Sequence, residues 1–120
     1  MKTTLIIGAS PRSSSYTNMA MHDLEKHGHQ TLLYNPTGRQ VERRDVYTDL
    51  AQITENPHTV TLYVRPTRLE PIVGQIIALN PKRIVFNPGT ENEKIIKTFS
   101  DAGIETLEAC TLVMLRTGQY

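Results

Sequence analysis

One cysteine, no tryptophan and a formal net charge of only +1 leave this 120-residue chain with few chemical handles. A lone Cys110 cannot close an internal disulfide or anchor a cysteine-based zinc site. The near balance of 13 basic and 12 acidic residues gives no electrostatic footprint for nucleic acid or an acidic membrane. Apolar runs extend over only a few residues, too short to span a bilayer. The start, Met1-Lys2-Thr3-Thr4-Leu5-Ile6-Ile7, passes straight into a strand pattern and lacks both the apolar length and the cleavage site of a signal peptide. A cytoplasmic protein is expected. Repeats, linkers and low-complexity segments are also missing, so residues 1–120 read as a single domain.

What is present is an alternation of short apolar runs with helical patterns. Leu5-Ile6-Ile7 reads as a buried strand, followed by a glycine turn and a helix over Asn18 to His27 that stops at Gly28. Thr31 to Tyr34 is the second strand, closed by Asn35-Pro36. From 37 to 58 the pattern is weak: Val41, Val46 and Tyr47 suggest a small excursion, and Thr48 a cap for a short helix with Leu50, Ala51 and Ile53. Val60 to Val64 is a third strand. Leu69, Ile72, Val73, Ile76 and Ile77 then form one continuous apolar helical stripe, with Pro71 expected in the first turn. Ile84-Val85-Phe86 is a fourth strand. Thr90-Glu91-Asn92-Glu93 has the form of a capping box, with Thr90 as N-cap of a helix that buries Ile95, Phe99 and Ala102 and stops at Gly103. Thr106-Leu107 marks a fifth strand, and Leu112 to Leu115 an apolar tail. The expected fold is α/β: one Rossmann-like three-layer domain with a five-stranded, mostly parallel sheet in the order 2-1-3-4-5.

Open parallel sheets bind ligands beyond the carboxyl ends of their strands, where the strand order reverses. The loops expected there are rich in Gly, Pro, Ser, Asn and Arg. The first is the most informative. A strand, Gly8, small Ala9 and Ser10, and then a helix make a place where backbone N–H groups can hold a phosphate. Ser13, Ser14 and Ser15 add hydroxyls, and Arg12 can pair with phosphate oxygens. This is not the dinucleotide fingerprint, because serines stand at 10 and 13 where G-x-G-x-x-G requires glycines. The second strand also ends in Asn35-Pro36 rather than in an acid for a ribose hydroxyl, and Arg39 beyond it suits an extra ribose phosphate, as in coenzyme A or NADP. No G-x-x-x-x-G-K-[ST] phosphate loop and no G-x-S-x-G elbow occurs. His22, His27, His29 and His58 show no zinc spacing and read as surface residues. Cys110 reads as a small buried side chain whose strand-end position would allow ligand or redox contact.

Taken together, the chain resembles the stand-alone CoA-binding protein family, whose domain is related to the CoA-binding domain of the succinyl-CoA synthetase α subunit and of the NDP-forming acyl-CoA synthetases. The resemblance runs through Ile6-Ile7-Gly8-Ala9-Ser10, Tyr16-Thr17-Asn18-Met19-Ala20, His27-Gly28-His29 and Tyr34-Asn35-Pro36. It continues through Val46-Tyr47, Val64-Arg65-Pro66, Asn87-Pro88-Gly89-Thr90-Glu91-Asn92, Ala102-Gly103-Ile104 and Cys110-Thr111-Leu112-Val113-Met114. It implies that Gly8, Ala9 and Ser10 hold the pyrophosphate and that Asn35 and Pro36 border the adenosine. Arg65 and Pro66 would line the adenine or pantetheine side, and Pro88, Gly89 and Thr90 would close the far edge. The chain departs from the family at Thr37, where relatives often have lysine, and at Thr67, where they often have a second proline.

The enzyme relatives use a phosphorylated histidine and a nucleotide-binding lobe outside this domain. The expectation is therefore a non-enzymatic binder of coenzyme A or acyl-CoA, acting as carrier, sensor or regulatory subunit. An NADP-linked reductase and a ligand-free interaction module that keeps the fold are the alternatives. The expected partner is the small molecule, with no nucleic acid or membrane; no protein partner is identified.

Overall fold

In the computed structural model all 120 residues are described. Five strands form one sheet: β1 Thr4–Ile7, β2 Thr31–Tyr34, β3 Thr59–Leu62, β4 Arg83–Phe86 and β5 Glu105–Glu108. All four pairings are parallel, as the alternation of elements predicts, and the order β2-β1-β3-β4-β5 is the one expected. Every residue of β1, β3 and β4 is buried, which is what continuous apolar runs do when helices cover both sheet faces.

Successive strand residues point to opposite faces and so divide the core in two. On one face Leu5, Ile7, Val60, Leu62, Ile84 and Phe86 meet Leu69 of α2 (Pro66–Leu69), Val73 and Ile76 of α3 (Val73–Ala78), and Ile95 and Phe99 of α4 (Glu93–Asp101). On the other face Ile6 and Leu33 pack on Met21 and Leu24 of α1 (Tyr16–Lys26) and Leu115 of α5 (Thr111–Arg116). The expected C-terminal apolar tail is thus a helix, and it is needed to cover this second face.

Local boundaries differ from the sequence expectation where a side chain competes for a helix end. Helix α1 starts before Asn18, because the Ser15 hydroxyl accepts the Asn18 N–H at 3.1 Å and caps it. Asp49, not Thr48, caps the single 3₁₀ turn Leu50–Gln52 by accepting the Ala51 N–H. Asn92, not Thr90, caps α4 by accepting the Ile95 N–H at 3.1 Å. The Thr90 hydroxyl instead donates inward to the Asn87 carbonyl, and Ala102 at the far end of α4 is exposed. Strand β3 ends at Leu62, two residues earlier than its composition suggests.

The apolar stripe beyond β3 is not one helix. The chain is already helical from Pro66, so Pro71 falls inside the segment rather than in its first turn. A proline there lacks the N–H and crowds the carbonyl four residues back, Thr67 in this chain. The segment breaks into α2, a 3₁₀ turn over Glu70–Ile72, and α3. Leu69, Val73 and Ile76 remain buried, so the stripe keeps its function although the helix does not stay continuous.

The connection from β2 to β3 holds no α-helix but is well anchored. Tyr47 extends the sheet beside β2, donating its N–H to the Leu33 carbonyl and accepting that of Asn35. Arg44 grips Glu25 of α1 through two hydrogen bonds at 2.6 and 3.1 Å. Glu42 accepts from Asn18 at 2.7 Å and from His22 at 2.8 Å, and these hydrogen bonds, Asn18's foremost, lower its carboxyl pKa. No helix is long and apolar enough to cross a membrane.

Candidate functional site

The strands stop in step. Ile7 lies opposite Tyr34 and Leu62, and Leu62 opposite Phe86, so the next residues, Gly8, Asn35, Tyr63 and Asn87, share one edge. The order reverses at β1, which lies between β2 and β3, and a cavity of about 470 Å³ opens at that point. Gly8, Tyr34, Asn35 and Pro36 line it from the β1 and β2 side. Tyr63, Val64, Arg65, Arg68 and Ile72 line it from the β3 side.

Glycine at position 8 is required twice over. Its φ of +96° is a conformation that side chains disfavour, and a Cβ there would lie 2.9 Å from Val64 Cγ1 and 3.1 Å from the Tyr63 carbonyl oxygen. The backbones leaving β1 and β3 therefore touch. The N–H groups of Gly8 and Ala9 both donate to the Tyr34 carbonyl, at 3.0 and 3.1 Å, and that of Ser10 donates to the Thr17 hydroxyl. These three amides, expected to face a pyrophosphate, are turned into the protein. The N–H groups of Ser13, Ser14, Tyr16 and Thr17, at the entrance to α1, have no protein partner. Any anion held by backbone amides meets the loop there, a few residues later than the glycine motif suggests.

Asn35 carries a structural load as well as lining the cavity. Its side-chain amide donates to the Ala9 carbonyl at 2.6 Å, and its oxygen accepts from both the N–H and the hydroxyl of Thr37. It ties the exit of β2 to the loop after β1. Ala9 is 2% exposed and packs into the core behind that loop, while Ser10 accepts the Arg12 N–H.

A second cavity, about 260 Å³, opens beside Tyr63, lined by Tyr16, Asn87, Pro88, Cys110 and Leu112. Its floor is a polar network. Asn87 donates to the Thr61 hydroxyl and the Leu62 carbonyl at 2.7 and 2.8 Å, and accepts the Thr111 N–H at 2.9 Å. Thr61 and Thr111 hydroxyls pair at 2.8 Å. The Tyr63 hydroxyl is buried next to them without a properly formed hydrogen bond, and burial pushes its pKa up to about 12.

Of the residues named from sequence, Gly8, Asn35, Pro36 and Arg65 converge on the larger cavity, and Pro88 lines the smaller. Arg12, Arg39, Pro66, Gly89 and Thr90 line neither, and Thr90 is buried with its hydroxyl turned inward. Arg12, Arg39, Arg65 and Arg68 form no ion pair, whereas Arg44 and Arg116 do. Arg68, in the Arg65–Arg68 segment expected at this edge but not among the ligand contacts named from sequence, also lines the larger cavity. Asn87 lies on the edge expected for the strand-end loops, and Tyr63, expected within the third strand, joins it there beside Gly8 because β3 ends at Leu62. None of the histidines lines either cavity. His29 and His58 are half-buried rather than superficial; His29 accepts the Lys2 N–H and His58 donates its own to Thr3, at the opposite end of the strands. No group of His, Cys, Asp or Glu is arranged to hold a metal.

A family model described as a CoA binding domain matches residues 2–116. A crystal structure described as that of an uncharacterized protein is 38% identical, with a TM-score of 0.95, covering 100% of this chain and 98% of the other. A hypothetical protein from Pyrococcus horikoshii OT3 is 26% identical, with a TM-score of 0.90, covering 97% of this chain and 82% of the other. A Thermus thermophilus structure shares the fold at 20% identity, with a TM-score of 0.88 and coverage of 99% and 90%. Among curated proteins none matches.

Proposed function

The chain belongs to the CoA binding domain family across residues 2–116, and from that premise we propose that it binds coenzyme A or an acyl-CoA in the crevice between β1, β2 and β3 without transforming it. The observation that carries this reading is the lining of the larger cavity, which has two arginines and no acidic side chain. A nicotinamide dinucleotide site calls for an acid at the end of the second strand. Here that position is Asn35, whose amide is already engaged with Ala9 and Thr37. The nucleotide end of CoA fits the larger cavity, and its pantetheine arm, leading past Tyr63, fits the smaller one.

The absence of a general acid–base pair from both linings supports binding over catalysis. Neither contains His, Asp or Glu, and the Tyr63 phenol, with a pKa of about 12, stays protonated at neutral pH. The role proposed for such a binder is that of a carrier, sensor or regulatory subunit in the cytoplasm. Calorimetric titration with CoA, acetyl-CoA, NAD and NADP tests the reading, supported by mass spectrometry of ligand retained through gentle purification. Saturable CoA binding with no hydride transfer from NADPH is expected. Absence of CoA binding up to millimolar concentration would overturn it, and hydride transfer would replace it with a reductase.

A further inference from the structure

Arg65, the extended residue that precedes α2, and Arg68, on α2, line the same cavity. Neither guanidinium has a hydrogen bond or an ion pair within the protein. The sequence offers no local relief: the residues three and four away from Arg68 on either side are Val64, Arg65, Pro71 and Ile72, none of them acidic. Two unpaired positive charges lining one cavity repel each other, and an anion held between them turns that repulsion into attraction. Two other arginines are paired, Arg44 with Glu25 at 2.6 Å and Arg116 with Asp23 at 3.4 Å, whereas Arg65 and Arg68 share one cavity with no acid between them. The base that presents the pair is firm, since Pro66 opens α2 and Leu69 is fully buried beneath it.

We infer that Arg65 and Arg68 clamp the phosphate monoester on the ribose of the ligand, and that Arg68 sets the preference for CoA over its dephospho form. The inference rests on the CoA reading above and adds a residue and a discrimination to it. A phosphate monoester carries nearly two negative charges at neutral pH, against one on each phosphorus of a pyrophosphate bridge, and so matches two guanidiniums best. Across the cavity, Tyr34 and Pro36 offer apolar surface against which an adenine can lie. The 2′-phosphate of NADP has the same chemistry as the 3′-phosphate of CoA, and the test includes both.

The full-length protein and its Arg68→Ala and Arg65→Ala variants are titrated with CoA, dephospho-CoA and NADP at two salt concentrations. Arg68 is exposed, so R68A is expected to melt like the parent. CoA should bind the parent about tenfold to a hundredfold tighter than dephospho-CoA, the range of a charge-assisted contact. R68A should lose most of that preference by weakening CoA alone, with a shallower salt dependence. Equal weakening of both ligands, or a parent protein that does not distinguish them, would overturn the clamp and leave the CoA reading intact. NADP binding tighter than CoA and sensitive to R68A would uphold the clamp and overturn the CoA reading. Failure of all three ligands to bind overturns both.

Discussion

Substituting Gly8 by alanine tests whether the contact between the β1 and β3 exits holds the crevice together. Two costs add. Placing a side chain on backbone with φ of +96° costs about 1–2 kcal/mol. The new Cβ also falls 3.1 Å from the Tyr63 carbonyl oxygen, which is backbone and cannot swing aside as a flexible side chain would. Overpacking of this kind costs about 1–3 kcal/mol. A total near 3 kcal/mol lowers the melting temperature of a domain this size by about 10–15 °C. Gly28 is the control, since its φ is +83° but nothing lies within 4 Å of its Cβ position. G28A should therefore show only the backbone cost, about 1–2 kcal/mol. Both variants are followed by thermal unfolding in circular dichroism and by CoA titration. G8A should melt well below G28A and lose at least about tenfold in CoA affinity, because Val64 and Arg65 shift with Tyr63. Equal melting temperatures for the two variants, or undiminished CoA binding by G8A, would refute the reasoning.

Four further outcomes follow from the smaller cavity and its floor. Asn87→Ala leaves the buried Leu62 carbonyl and Thr111 N–H unpaired and should cost about 2–5 kcal/mol in urea unfolding; a loss below about 1 kcal/mol would show that the network is not structural. Tyr63→Phe removes a buried hydroxyl that has no partner, so it should leave stability unchanged or raise it. The same phenol predicts an alkaline effect. Its folded pKa of about 12 lies above the ordinary value of 10.0, so the unfolded chain loses its proton first and stability falls as pH rises between the two, by roughly 2–3 kcal/mol in all. Y63F should flatten that fall, and an unchanged pH profile would contradict the assignment. With the pantetheine arm in the smaller cavity, the Cys110 thiolate should exchange with CoA disulfide, giving a Cys110–CoA mixed disulfide and releasing one CoA thiolate. Mass spectrometry that finds Cys110 inert would remove that placement.

The apolar runs at 5–7, 31–34, 60–62 and 84–86, alternating with helical patterns, were enough to determine a parallel α/β sheet, because burial on both faces leaves no other use for such runs; the order of its strands was expected from the sequence but decided by the packed fold. The same local signals also placed a phosphate-type loop after Gly8 and the missing acid at Asn35. Only the tertiary structure decided which groups of that loop are free. The Tyr34 carbonyl takes the Gly8 and Ala9 amides, and the Thr17 hydroxyl takes that of Ser10, through contacts that no local pattern encodes. Likewise Pro71 broke a helix whose apolar spacing was correct, because the chain had become helical at Pro66, five residues before the proline. Arg68 gained its place opposite Pro36, and Asn87 its place beneath Cys110, when strands distant in sequence ended in register. Periodicity determines which side chains are buried, since that is a property of each segment. Which polar groups remain unpaired at the sheet edge depends on neighbours from other segments, and only the packed fold supplies them.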